Sequence, residues 1–95
     1  MPKGYVIARA IVTDPDKWAQ YAAKAGEAMK LYGGTPIVRG GRCEITEGEG
    51  RARNVVIEFE SFEAARRYAH SAEYAEARTL RHGAGVIDIV VVEGQ

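Results

Sequence analysis

Four charged residues fall on segments that otherwise read as apolar strands: Arg9, Arg39, Glu58 and Asp88. Two positive and two negative groups on one apolar surface need partners, because a charge buried alone is costly. Paired with one another they make a salt-bridge network, within the chain or across a dimer interface. Such a network fixes orientation without adding much stability. Facing a cavity, the same groups make the polar end of a small-molecule site. There Arg39 binds an anionic group and the carboxylates orient it. A guanidinium keeps its charge at neutral pH, so Arg39 must meet a carboxylate or an anionic ligand. Glu58 and Asp88 are the expected partners. His70 falls at a break between two helical segments and is the candidate general base. The candidate catalytic set is therefore His70, Glu58 and Asp88. The candidate substrate-binding set is Arg39, Arg9 and Tyr5.

The other reactive residue types point to less. His82 lies in the loop before the last strand. Cys43 has no activating neighbour in sequence and reads as inert. No His, Cys, Asp or Glu pair has metal-ligand spacing, so no metal site is expected. The glycines do not form a phosphate-binding loop, and there is no serine nucleophile elbow. No cofactor is expected. Tyr74 and Arg78 lie one turn apart and read as packing plus a surface ion pair.

Positioning these residues falls to a single domain of 95 residues. Thirteen basic and thirteen acidic side chains cancel, which argues against nucleic acid and against electrostatic membrane binding. No apolar run approaches the roughly 20 residues of a membrane-spanning helix. No signal peptide is read at the start of the chain. A lone cysteine cannot close an internal disulfide, which fits a cytoplasmic setting.

The elements follow from periodicity. Gly4 to Thr13 reads as a strand with apolar residues on both faces, and the small Ala8 and Ala10 point to close approach of a helix. Asp14 and Pro15 open a helix, with Trp18, Tyr21, Ala25, Met29 and Tyr32 on one stripe and Gly33 and Gly34 after its end. Thr35 to Glu47 reads as a bent strand, with Gly40 and Gly41 marking a bulge. Glu47 to Arg53 is a hairpin loop. Asn54 to Glu60 alternates with period two. Ser61 caps a second helix and Ser71 a third, which ends at Gly83 or Gly85. Val86 to Glu93 is the last strand. Strict alternation puts Ala8, Ala10, Val38, Val55, Ile57, Phe59, Ile87, Ile89 and Val91 toward the helices. It puts Tyr5, Ile7, Arg9, Ile11, Ile37, Arg39, Val56, Glu58, Val86, Asp88 and Val90 on the other face. The order of elements predicts an α+β fold, the ferredoxin-like βαββαβ arrangement of a four-stranded antiparallel sheet with helices on one face. Apolar residues on the second face predict a homodimer.

GYVIARAIVTDPDKWAQY, YGGTPIVRGGRCEITEGE, VVIEFESFEAARRYAHSAEYAEARTLR and a strand ending VVVEG together resemble the domain of unknown function 1330 family over nearly the whole chain. Ala72 departs from the proline common there. The resemblance implies a dimeric α+β barrel, in which two ferredoxin-like sheets pack face to face. That wider fold includes cofactor-free monooxygenases, isomerases, haem-degrading enzymes and ligand-sensing domains. Three functions compete on this basis. One is a cofactor-free monooxygenase- or isomerase-like enzyme on a small organic substrate. Another is a non-catalytic binding or sensing module for a small-molecule ligand. The last is a purely structural dimer face.

Overall fold

The computed structural model describes residues 2–95. The element order is β1 (Gly4–Val12), α1 (Pro15–Leu31), β2 (Thr35–Arg39), β3 (Arg53–Phe59), α2 (Phe62–Ala69), α3 (Ala72–Thr79) and β4 (Gly85–Glu93). The strands form one sheet in the order β2-β3-β1-β4, and every neighbouring pair is antiparallel. This is the expected ferredoxin-like α+β arrangement. The barrel implied by the family resemblance is not formed. Closure needs the first and last strands of the order to pair, and β2 and β4 are both edges. The sheet is open.

Local chemistry sets the helix starts. Asp14 Oδ1 accepts from the Lys17 N–H at 3.2 Å, with Pro15 at the first helical position. Ser61 Oγ accepts from the Ala64 N–H at 3.1 Å, and Ser71 Oγ from the Tyr74 N–H at 3.0 Å. Each cap satisfies a donor that the first turn leaves free. α3 ends at Thr79, with Leu80 as its C-cap, short of Gly83 and Gly85. The Ala84 carbonyl just beyond accepts from both Thr13 and Asp14 N–H groups (2.7 and 3.0 Å), which ties that turn to the start of α1.

The core lies between the sheet and the helices. Phe59, Ala65, Ala77 and Ala84 are fully enclosed, with Val6, Ala10, Ile57 and the ring faces of Trp18, Tyr21, Tyr68 and Tyr74 packed around them. Each fully buried large side chain here is worth about 1.5–3 kcal/mol. An aromatic run crosses this layer. Trp18 to Tyr21 is 5.2 Å between ring centroids, Tyr21 to Tyr74 6.2 Å, Tyr74 to Tyr68 5.3 Å, and Tyr68 to Phe59 5.3 Å. The run joins α1, α3, α2 and β3.

β2 departs from the sequence reading in length and in phase. It stops at Arg39 rather than Glu47, and Gly40 follows with φ of +68°. Its register against β3 shifts between Pro36 and Val38. The extra residue is Ile37, and a bulge of this kind moves every later side chain to the other face. Val38 therefore pairs with Val56, and Arg39 with Val55. Arg39 joins the helix face and Val38 the open face, the reverse of what strict alternation assigns.

Candidate functional site

The helix face of the sheet does not close onto the helices. A cavity of about 410 Å³ separates them. Small residues line it from both the sheet and the helix layer: Ala8 and Ala10 on β1, and Ala22, Ala25 and Gly26 on α1. In sequence, Ala8 and Ala10 point to close approach of a helix. Here small side chains on both walls leave space instead. Further apolar lining includes Val55, Ile57, Ile87, Ile89 and Met29.

The polar lining is one-sided in charge. Arg39 from β2, Arg53 from β3, Arg78 from α3, Arg81 from the following turn and His70 at the α2 C-cap all line the cavity, and no Asp or Glu does. The Arg81 guanidinium lies over the Tyr21 ring, 5.1 Å from its centroid, a favourable cation–π geometry. Arg81 Nε is buried without a hydrogen-bond partner. Gly40 allows close approach of Arg53, since a Cβ there would meet its Nη1 at 2.5 Å.

Tyrosines supply neutral polar groups to the same walls. The Tyr21 and Tyr74 hydroxyls are 2.9 Å apart and share one hydrogen bond, so one hydroxyl proton of the pair is free to be donated elsewhere. Burial pushes the Tyr21 and Tyr68 phenols up, and neighbouring Tyr74 adds to the shift in both. These groups stay protonated as donors across the neutral range.

The residues singled out by sequence divide between two faces. His70 and Arg39 come to the cavity. Tyr5, Arg9, Glu58 and Asp88 lie on the opposite face, as alternation placed them. There Tyr5 Oη donates to Glu58 Oε2 at 3.3 Å, and Lys3 pairs with Glu58 at 3.7 Å. Arg9 Nε donates to Asn54 Oδ1 at 3.2 Å. Asp88 pairs with Arg51 at 3.1 Å, and Arg51 also donates to the Arg9 carbonyl at 3.3 Å. Arg9, Glu58 and Asp88 thus share the open face, with Arg9 opposite Asp88 in the register, while Arg39 stands apart and meets neither Glu58 nor Asp88. Arg78, read as part of a surface ion pair, lines the cavity and pairs with no carboxylate among the described residues. Arg53 and Arg81 had no signal in sequence apart from charge. His82 is exposed, and its carbonyl accepts from Lys17 Nζ at 3.2 Å. Cys43 is exposed and free. Among the described residues no group of three His, Cys, Asp or Glu side chains could hold a metal ion. None of their helices is long and apolar enough to cross a membrane.

Comparison with known proteins gives a family and a fold. The model of the family described as Domain of unknown function (DUF1330) matches residues 3–95. No curated protein matches in sequence. A protein of unknown function from Rhodopseudomonas palustris superposes with a TM-score of 0.76 at 16% identity, covering 99% of this chain and 83% of that one. SnoaB from Streptomyces nogalater, described as a cofactor-independent oxygenase, gives 0.64 at 12% identity, covering 100% and 95%. A protein from Bacteroides fragilis, described as dimeric with a ferredoxin-like fold, gives 0.57 at 14%, covering 96% and 95%. At these identities the likeness is one of fold.

Proposed function

The chain belongs to the DUF1330 family, and we propose that it binds a small organic molecule in the cavity between helices and sheet and takes a proton from it at His70. One observation carries this reading: an apolar cavity of ligand size has a histidine on its wall. Proton abstraction is the step shared by the two enzyme types expected from sequence. An isomerase returns the proton elsewhere on the substrate, and a cofactor-free oxygenase passes the substrate anion to dioxygen. The fold shared with SnoaB is compatible with the second course. Glu58 and Asp88 stay outside this chemistry because they lie across the sheet from the cavity. A non-catalytic binding module is the second reading. It is favoured by the exposure of His70, since a general base usually works in a site closed to water.

The test begins with native mass spectrometry of the purified protein to capture the bound molecule. Exchange of that molecule's acidic C–H in D₂O is then followed by NMR. The enzyme reading expects exchange by the native protein and a loss of about 10²–10⁴-fold in His70→Gln. Binding without exchange by either protein would leave the binding module as the function.

The proposal includes a homodimer formed through the open face of the sheet. Ile11, Val86 and Val90 are 48%, 53% and 51% exposed there, beside Val38 and Val92. Soluble proteins rarely leave such a patch uncovered, and the Bacteroides fragilis neighbour is described as dimeric. A cytoplasmic setting belongs to the same reading, supported by the free, exposed Cys43.

A further inference from the structure

We infer that the cavity is built for an organic oxyanion, a carboxylate or phosphate carried on a flat apolar body. The inference rests on the small-molecule reading above and gives that molecule its chemical class. Arg39 and Arg53 reach the cavity from the sheet, Arg78 and Arg81 from the end of α3 and the turn after it, and none can shed its charge at neutral pH. Among the described residues the two ion pairs are Lys3 with Glu58 and Arg51 with Asp88, both away from the cavity. No side chain of the four arginines donates a hydrogen bond to a described residue. Solvent accounts for Arg39 and Arg78, which are exposed. It reaches the half-buried Arg53 and Arg81 only in part, and it does not reach Arg81 Nε, which is buried without a hydrogen-bond partner.

Like charges gathered beside an apolar void repel one another and lose hydration. An oxyanion among them removes both costs and accepts the free donors, which guanidinium forks present in pairs. The body of the ligand follows from the other walls. Trp18, Tyr21, Tyr68 and Tyr74 offer ring surfaces, and the small residues Ala8 on the sheet and Ala25 on α1 line the space between sheet and helix. A planar hydrocarbon or aromatic frame fits such a space better than a polar one.

Calorimetric titration with 2-naphthoate, 2-naphthyl phosphate and neutral 2-naphthamide tests this. The expected result is that one or both anions bind at least about tenfold more tightly than the amide, with the preference weakened by salt. The order of the two anions tells carboxylate from phosphate. The preference should shrink in Arg53→Gln and Arg81→Gln. It should persist in Arg51→Gln, which alters a charge on the opposite face. Arg81→Lys, which keeps the charge but loses the fork, gives an intermediate preference and guards against a variant that misfolds. Equal binding of amide and anions would overturn the oxyanion inference and leave the cavity reading standing. Binding of none of the three would overturn both.

Discussion

Tyr21 and Tyr74 bring their hydroxyls to 2.9 Å inside the helix layer, and that contact joins α1 to α3. Both rings are buried, and their mutual tilt of 77° is the edge-to-face arrangement that aromatic pairs favour. Ser71, which caps α3 from below, fixes the turn that carries Tyr74, because its Oγ accepts from the Tyr74 N–H and its hydroxyl donates to the Tyr68 carbonyl at 2.7 Å. One side of the cavity is therefore a hydrogen-bonded aromatic wall rather than a set of independent side chains.

Removing one hydroxyl of this pair should cost more than removing both in proportion. Tyr74→Phe leaves the Tyr21 hydroxyl buried without its partner, a loss of about 1–3 kcal/mol. Tyr21→Phe in the same background removes the orphan and should recover part of that. Urea melts of the two single variants and the double variant give the coupling directly. Strict additivity would mean that the two hydroxyls do not depend on each other.

Alkaline pH should unfold the protein through the same wall. Burial raises the Tyr21 and Tyr68 phenols above their ordinary value of 10.0. A group raised in the folded state contributes stability that is fully present below its unfolded value. That contribution is lost as pH climbs past 10, where only the unfolded chain ionises, toward the folded value. Thermal melts should therefore be insensitive to these groups between pH 7 and 9 and fall above about pH 10. Tyr68→Phe should flatten the fall. An equally steep fall in that variant would assign the effect to other groups.

Helix starts were legible in sequence because a cap is made within one turn: Asp14, Ser61 and Ser71 each bond the N–H three residues on. The faces of β1, β3 and β4 were legible because period two runs unbroken through Tyr5–Ile11, Asn54–Glu58 and Val86–Val90. β2 was not. Its phase turns on the bulge at Ile37, which is decided by pairing with β3, while the visible signal was Gly40–Gly41 downstream. The cavity was hidden for a related reason. Ala8 on β1 and Ala25 and Gly26 on α1 signal small size, but whether small residues meet or leave a void depends on what stands opposite. Arg53 comes from β3, and Arg78 and Arg81 from the end of α3 and the turn after it, and only the folded chain brings these two regions to one space. The expected barrel came from family resemblance, and no strand pattern in the chain encodes pairing between β2 and β4.

Placing a charge in the middle of the open face should reveal whether that face is an interface. Ile7 sits between Val56 on β3 and Val90 on β4. Ile7→Asp would set a carboxylate among these apolar side chains. In a dimer packed through this face, the variant is expected to dissociate or aggregate, since an unpaired charge buried at an interface is strongly unfavourable. Light scattering at micromolar concentration should give twice the chain mass for the native protein and a monomer mass or aggregate for the variant. A native monomer would sink the dimer.

Arg39→Met should leave stability almost unchanged. Had Arg39 stood on the open face beside Glu58 and Asp88, its loss would strand a carboxylate and cost roughly 3–5 kcal/mol, the usual effect of breaking a buried pair. The bulge at Ile37 instead sets Arg39 opposite Val55, on the cavity side and exposed at its edge. Glu58 keeps Tyr5 and Lys3, and Asp88 keeps Arg51, whether Arg39 is present or not. The methionine keeps most of the apolar stem, so the expected change is within about 0.5 kcal/mol, as for substitutions away from paired or packed groups. A denaturant melt of native and variant protein checks this. A loss of several kcal/mol would mean that Arg39 has a carboxylate partner after all, and that β2 pairs with β3 in the unbulged register.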